Sequence, residues 1–259
     1  MKLEDIGYSK HSFTAGLEAN QSTTHDVYEK GSGPVVVIIQ ELPGIGEETL
    51  RLADNFVNRG FCVVLPHLFG PLGRTSMLGN TVRVLCMRRE FRIFESKKTS
   101  PVVSWLRALC ADAKQRHNVP GVGVIGMCLT GNFAISLMAD DAVLGGVASQ
   151  ASLPIRDHED LHMSDEDINE VRDAIDQKGN ALALRFEKDP LCTAIKFKSY
   201  EQRFNDDANR IALTTLPGKG HSVLTLDFVD DAGHPTRTAL DNVLAYFADR
   251  LNPSHSPQH

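Results

Sequence analysis

The sequence lacks the features that mark nucleic-acid-binding and membrane proteins. Its 259 residues carry 27 lysines and arginines against 33 aspartates and glutamates, and no basic run is present to contact phosphates. Although 42% of the residues are hydrophobic, no apolar stretch is long enough to cross a bilayer. The first residues, MKLED, are charged and form no apolar signal-like core. We therefore expect a cytoplasmic protein that binds neither nucleic acid nor membrane.

Paired cysteines are also missing. The five cysteines form an odd set without any C-x-x-C spacing, which argues against a disulfide framework and against a zinc knuckle. No group of histidines, cysteines and carboxylates has metal-ligand spacing either. The sequence therefore predicts a reducing compartment, no metal and no cofactor.

What the chain does contain is an alternation of buried strands and amphipathic helices. Apolar runs typical of central strands lie at 34–40, 61–66, 122–125, 143–149, 181–186 and 211–216. Helical spacing occurs at 47–58, 102–117, 195–205 and 236–251. The segment 67–100 is predicted to be an irregular loop with one or two helices that cross the top of the sheet, and 156–179 is polar and acidic. This alternation predicts an α/β fold with a mostly parallel sheet. One domain over 1–259 is expected, with edge strands in 1–33 and a loose tail at 252–259.

The most informative segment joins an apolar strand to a helix through a cysteine with glycines nearby. It reads VGVIGMCLTGNFA from Val122 to Ala134, with Cys128 at the turn. In α/β-hydrolases a strand, turn and helix of this kind hold the nucleophile on strained backbone, usually as G-x-S-x-G. The helix N-terminus at this position favours thiolate over thiol. A buried structural cysteine is the alternative interpretation.

Two further polar residues, Asp189 and His221, each follow one of the last two predicted strands. Reactive groups of an open parallel sheet gather at the carboxyl ends of its strands, and α/β-hydrolases use the chain order nucleophile, acid, histidine. The sequence therefore predicts a catalytic triad of Cys128, Asp189 and His221. Glu187 is a competing acid, while a turn-forming Asp189 and a solvated His221 are the structural alternatives.

A fourth strand end carries a carboxylate. Glu41 directly follows the strand that ends at Gln40, so we expect it to face the same cleft as Cys128. The backbone N–H groups of Leu42 and Leu129 are predicted to form an oxyanion hole. A charge that favours the N-terminus of the following helix is the alternative role for Glu41.

Together these segments resemble the dienelactone hydrolase family of α/β-hydrolases. The resemblance is carried by QE at 40–41, GMCLTG at 126–131, DPL at 189–191 and GHS at 220–222. It extends from about residue 35 to the last helix, and it implies the α/β-hydrolase fold with a triad of Cys128, His221 and Asp189. It also implies a glutamate, here Glu41, that contacts the resting thiol and helps to deprotonate it when substrate arrives.

Two departures from the family's pattern bear on the substrate. Thr130 stands in the elbow where family members often have glycine, so we expect a slightly wider turn or a more polar pocket floor. The arginine that well-studied members carry shortly after the histidine, to bind a substrate carboxylate, is absent. Arg74, Arg88 and Arg89 are candidates to replace it, with solvated helix surface as the alternative for the last two. His67 is a candidate to line the cleft.

The predicted function is hydrolysis of small esters or lactones through a thioester acyl-enzyme. Two alternatives stay open. One is a catalytically silent α/β-hydrolase scaffold that binds a small acidic ligand or a protein partner. The other is a redox-sensing thiol at Cys128 with Cys192 as its resolving partner. The oligomeric state is not encoded in any readable pattern.

Overall fold

An eight-stranded sheet forms the centre of the structure, a computed structural model that describes residues 2–18, 21–73, 100–154 and 157–252. The strands β1 to β8 are Ser9–Glu18, Gln21–Gly31, Val35–Ile39, Cys62–His67, Val122–Met127, Val143–Ser149, Ala181–Phe186 and Ile211–Leu216. The described α-helices, α1 to α6 in chain order, are Glu47–Asn58, Val102–Arg116, Gly131–Ser136, Asp165–Lys178, Ala194–Phe204 and Pro235–Arg250.

The strand order is β1-β2-β4-β3-β5-β6-β7-β8. β2 pairs antiparallel with β1 and with β4, and every other neighbouring pair is parallel. The N-terminal strands therefore lie at one side of the sheet, and the mostly parallel α/β fold predicted from the alternation is confirmed. The carboxyl ends of β3, β5, β7 and β8 share one edge, so the residues that follow these strands gather there.

β3 shows why the sheet is buried on both faces. Its five residues, Val35–Ile39, are all β-branched and completely buried, and β-branched side chains fit a pleated strand well. Alternate residues of β3 pack into two different cores, one with α2 and the other with α1 and α6. Burying each such side chain contributes roughly 1.5–3 kcal/mol. Two helical layers around an apolar strand thus fix the edge that carries the candidate site.

One helix lies in a segment that the sequence indicated only as polar and acidic. α4 begins after Ser164, whose Oγ accepts the Asp167 N–H at 3.0 Å, while the Asp167 carboxylate accepts the Ser164 N–H at 3.2 Å. Its buried apolar stripe consists of Ile168, Val171 and Ile175. Three buried apolar residues among fourteen make a faint helical pattern, so the capping box was the stronger signal.

The other predicted helices, α1, α2, α5 and α6, begin and end within one residue of the bounds indicated by their spacing. Within the described ranges, no helix combines the length and the apolar content that crossing a bilayer requires. Most of the segment predicted to be irregular, at 74–99, and most of the predicted tail, at 253–259, lie outside the described residues.

Candidate active site

The chain turns sharply at Cys128, between the end of β5 and a 3₁₀ turn formed by Cys128–Thr130. The φ angle of Cys128 is 54°, in the left-handed region that residues other than glycine rarely adopt. The turn is also tight, because a Cβ added to Gly126 would lie 2.0 Å from the Thr130 carbonyl oxygen. Backbone strain of this kind concentrates at functional sites. The thiol is therefore presented on a strained strand-to-helix elbow.

We expect Gly126→Ala to lower the free energy of unfolding by about 1–3 kcal/mol or more, since the added methyl group meets backbone rather than a mobile side chain. Urea unfolding measures this change. Gly16→Ala is the matched control, because a Cβ there lies 3.7 Å from the Gln21 carbonyl oxygen, an ordinary contact. Equal stabilities of the two variants would contradict this account of the elbow.

Thr130 ties the elbow to the end of β3. Its hydroxyl accepts the Met127 N–H at 2.9 Å and lies 3.2 Å from the carbonyl oxygens of both Ile39 and Gln40. The residue is completely buried, so its hydroxyl adds no polar group to the surface of a pocket. The expectation of a more polar pocket floor is therefore wrong, because the backbone beneath the elbow uses this hydroxyl.

Asp189 and His221 meet beyond the ends of β7 and β8. His221 Nδ1 donates to the Asp189 carboxylate and lies 2.9 Å from each of its oxygens. Asp189 Oδ1 also accepts the N–H groups of Leu191 and Cys192, at 2.8 and 2.9 Å, so its own loop fixes its orientation. The Asp189 side chain is completely buried, whereas Glu187 is exposed. The structure thus brings Asp189, and not Glu187, to the imidazole.

Electrostatics favour the protonated form of His221. Burial alone would lower the pKa of the ring, but the hydrogen bond to Asp189 and the nearby Cys128 side chain outweigh burial and raise the pKa from 6.5 to about 10. A buried carboxylate at hydrogen-bond distance stabilises an imidazolium in this way. His221 therefore holds a proton at neutral pH that it can transfer.

The Cys128 thiol is nearly buried, and its Sγ lies 3.4 Å from Ser152 Oγ. His221 Nε2 is buried and has no hydrogen-bond partner in the part of the chain that the structure describes. Cys128 and His221 are close enough for the negative charge of a Cys128 thiolate to raise the pKa of the ring, although their geometry falls short of a hydrogen bond. Hydrogen bonds of this kind are often long in the absence of substrate.

Glu41 is buried and held by three donors. Its carboxylate accepts Gln150 Nε2 at 3.2 Å, Ser222 Oγ at 2.9 Å and the Thr225 hydroxyl. Burial raises the pKa of Glu41, and these donors together with the charge of His221 oppose that rise. The contact between the glutamate and the resting thiol that the resemblance implies is not among the hydrogen bonds of the described residues. The carboxylate faces the histidine loop instead.

Leu42 and Leu129 lie beside Glu41 and Cys128. Leu129 is in the first turn of the 3₁₀ segment that begins at Cys128, where amides have no acceptor within the helix. The Leu42 N–H donates to no described residue. Both amides therefore remain available as donors, which is what an oxyanion hole requires.

A model of the dienelactone hydrolase family matches residues 23–248, a stretch that includes every candidate site residue. The chain belongs to the dienelactone hydrolase family. Membership identifies it as an ester hydrolase of this family. Comparison with curated proteins gives no match.

Solved structures of several esterases have the same fold. The Pyrococcus furiosus esterase Pf2001 aligns with a TM-score of 0.67 at 12% identity, over 97% of this chain and 96% of that chain. A cold-adapted esterase from an Arctic intertidal metagenomic library aligns at 0.60 and 15%, over 95% and 96%. The dienelactone hydrolase-like promiscuous phosphotriesterase P91, from metagenomic libraries, aligns at 0.64 and 14%, over 95% and 100%. At these identities the likeness shows the fold alone.

Of the residues predicted to bind substrate in this dienelactone hydrolase family member, the structure describes only His67. Arg74, Arg88 and Arg89 lie outside the described residues and stay predictions. His67, the last residue of β4, has its Nε2 3.0 Å from the Gly70 carbonyl oxygen, and burial lowers the pKa of its ring. His67 is thus held by its own loop, and its place in the cleft also stays a prediction.

Sequence reasoning missed a buried arginine that fixes the loop of the candidate acid. Arg185 Nη1 lies 2.9 Å from the Phe186 carbonyl oxygen, 3.3 Å from that of Glu187 and 3.2 Å from that of Cys192. The guanidinium therefore joins both ends of the loop that carries Asp189. The available signal was an arginine inside an apolar strand, because a buried cation needs partners for its donors.

A second missed residue, Asp227, fixes the histidine loop. Its Oδ2 accepts the N–H groups of His221 and Ser222, at 2.8 and 2.9 Å. Asp227 is exposed and follows no strand, so nothing in the sequence distinguished it from a solvated acid. Both loops that meet in the pair of Asp189 and His221 are therefore fixed by a charged side chain outside the pair.

Cys192 does not have the properties of a resolving thiol. It is completely buried, and burial together with the charge of Asp189 raises its pKa far above the ordinary value. Thiol–disulfide exchange needs a thiolate, so a thiol that stays protonated is a poor partner for Cys128. This disfavours the redox-sensing alternative.

Proposed function

We propose that the protein hydrolyses small esters or lactones through a thioester formed on Cys128. The proposal depends above all on the fixed pair of Asp189 and His221, with Nε2 of the ring unpartnered among the described atoms and close to the thiol. The strained elbow supports it, since it holds Cys128 at a helix start. Nucleophilic acyl transfer by a triad uses this spatial arrangement, in which an imidazole lies between the nucleophile and a carboxylate.

In the first half-reaction the Cys128 thiolate attacks the carbonyl carbon of the ester. The N–H groups of Leu42 and Leu129 stabilise the oxyanion of the tetrahedral intermediate. When the intermediate collapses, the bond from carbon to the alcohol oxygen breaks and His221 Nε2 donates its proton to the leaving oxygen. The raised pKa of His221 suits this step, because the ring keeps the proton at neutral pH until the alkoxide forms.

In the second half-reaction water attacks the thioester carbonyl, and the now neutral His221 takes a proton from it. The C–S bond breaks, its electron pair returns to sulfur, and the carboxylic acid leaves. Asp189 stabilises the imidazolium that forms, and the thiolate is regenerated. A lactone reacts by the same steps, except that the alcohol group and the acid group remain in a single product molecule.

Glu41 contributes through its position between two loops. Hydrogen bonds join its carboxylate to Ser222 and Thr225, which follow His221, while its backbone continues into Leu42. The side chain thereby couples the loop of the histidine to the loop of an oxyanion-hole amide.

The chain after the histidine favours uncharged substrates. It reads SVLT at 222–225, where well-studied members have the arginine that binds a substrate carboxylate. We therefore propose small neutral esters and lactones as the substrate class.

A panel of aryl esters, lactones and thioesters tests this function. We expect the wild type to hydrolyse small neutral members and to lose activity as iodoacetamide alkylates Cys128. The other described cysteines should react more slowly, since burial raises the pKa of Cys62 to about 11 and raises those of Cys110 and Cys192. No hydrolysis of any panel member, or inactivation that follows another cysteine, would contradict the proposal.

A further inference from the structure

A serine contacts the candidate nucleophile from the turn after β6. Ser152 Oγ lies 3.4 Å from Cys128 Sγ, and the Ser152 N–H donates to the Cys128 carbonyl oxygen at 3.0 Å. The backbone hydrogen bond holds the two residues together, so the contact between their side chains is part of the fold. Both residues are nearly buried.

The turn that carries Ser152 is strained and closely packed. Gln150, the first residue after β6, has a φ of 40°, and its N–H donates to the Leu184 carbonyl oxygen at 2.7 Å. The next residue, Ala151, packs so closely on α3 that a Cβ on Gly131 would lie 2.6 Å from its Cα. Strained backbone persists only where its surroundings hold it in place, and it is concentrated at functional sites.

We propose that Ser152 is a further catalytic residue and that its hydroxyl donates a hydrogen bond to the Cys128 thiolate. The proposal rests on the proposed function, because it assigns Ser152 a task in thiol-dependent hydrolysis. Ser152, and not Glu41, is then the residue that hydrogen-bonds to the sulfur. The side chains of Gln150, Ser222 and Thr225 bind the Glu41 carboxylate instead.

The chemistry of sulfur determines the direction of this hydrogen bond. A thiolate only accepts hydrogen bonds, whereas a neutral thiol is a weak donor and a weak acceptor. A hydrogen bond with one charged partner is roughly twice as strong as a bond between neutral groups. Ser152 therefore increases the thiolate fraction of Cys128 and stabilises Sγ whenever the sulfur carries charge.

The effect on turnover falls mainly on the second half-reaction. After water has added to the thioester, the C–S bond breaks and its electron pair moves to Cys128 Sγ, so sulfur leaves as a thiolate. The Ser152 hydroxyl donates to this sulfur as the charge develops, while His221 holds the proton taken from water. The thioester sulfur is a poor acceptor, so the bond favours the charged states over the acyl-enzyme.

Alkylation of Cys128 by iodoacetamide, followed by mass spectrometry between about pH 5 and pH 9, tests the contact. In Ser152→Ala and Ser152→Val the profile should move up by about one pH unit, equivalent to about tenfold slower alkylation on its acidic side. Ser152→Thr keeps the hydroxyl and should follow the wild type. Since threonine and valine have the same shape, the difference between these two variants reports on the hydroxyl alone.

Ser136→Ala is the matched control, because Ser136 is equally buried, lies on α3 and donates to the Asn132 carbonyl oxygen at 3.2 Å. With an activated ester, Ser152→Ala should release one equivalent of alcohol in a burst and then turn over about tenfold more slowly than the wild type. Coincident alkylation profiles for Ser152→Val and Ser152→Thr would overturn the proposal. An equally large shift in Ser136→Ala would do the same.

Alkylation monitors the thiol whether or not an ester is hydrolysed, so the two proposals fail separately. A shifted Ser152→Val profile in a protein that hydrolyses no ester would refute the proposed function and uphold the hydrogen bond to sulfur. Full esterase activity with coincident profiles would refute only the role of Ser152.

Discussion

Replacing Cys128 by alanine should lower kcat/KM for small aryl esters on the order of 10⁴-fold, the loss typical of removing a triad member. Without the sulfur no thioester forms, so both half-reactions lose their covalent intermediate. The amides of Leu42 and Leu129 remain and should support a small residual rate. Steady-state hydrolysis of an activated ester by wild type and Cys128→Ala measures the change.

Cys62 provides a close control for this substitution. Its Sγ lies 3.9 Å from His117 Nδ1, and His117 Nε2 lies 3.2 Å from Glu29 Oε2, so a cysteine, a histidine and a carboxylate are assembled a second time. Cys62 begins β4, however, and lies at the opposite edge of the parallel sheet from Cys128.

Burial and the charge of Glu29 raise the pKa of Cys62 to about 11, which leaves little thiolate at neutral pH. Cys62→Ala should therefore retain the activity of the wild type. If Cys62→Ala lost activity and Cys128→Ala kept it, the nucleophile would have to be sought at the other edge of the sheet.

The site residues that could be predicted from the sequence are those that follow a strand. Cys128, Asp189, His221 and Glu41 each come soon after an apolar run, and parallel strands bring such positions to one edge. The rule needs only the order of strands and loops along the chain. It therefore identified these positions without any knowledge of side-chain contacts.

The rest of the site depends on contacts between distant segments. Ser152 stands in the run ASQAS, where nothing distinguishes a residue beside a thiol from an ordinary turn serine. Asp227 and Arg185 act on backbone groups of the loops, so even the arginine inside an apolar strand does not reveal which groups it binds. The prediction that Thr130 makes the pocket floor more polar was wrong for the same reason, since its hydroxyl lies against carbonyl groups at the end of β3.

Replacing Asp189 by asparagine should lower kcat/KM for the same esters on the order of 10⁴-fold. The asparagine NH₂ group can donate to His221 Nδ1, which would move the ring proton to Nε2. A ring in that tautomer cannot accept a proton at Nε2 from water or from the thiol. Asparagine keeps a carbonyl oxygen for the N–H groups of Leu191 and Cys192, so the loop should stay folded.

The same substitution should change how stability depends on pH. Burial lowers the pKa of His221, and the hydrogen bond to Asp189 helps to raise it from 6.5 to about 10, so the folded protein binds this proton more tightly than the unfolded chain does. The resulting stabilisation is complete below the ordinary pKa of 6.5 and is lost as the pH rises through about 10. The difference in free energy of unfolding between wild type and Asp189→Asn should therefore be largest at slightly acidic pH and should shrink in alkaline solution.

Glu187→Gln is the matched control for Asp189→Asn, because it neutralises an exposed acid that also follows β7 and lies two residues from Asp189 in the sequence. We expect it to keep both the activity and the pH profile of the wild type, since the imidazole is bound by Asp189 and the exposed carboxylate is screened by solvent. Loss of hydrolysis in Glu187→Gln with full activity in Asp189→Asn would transfer the role of the acid to Glu187 and refute the triad as proposed.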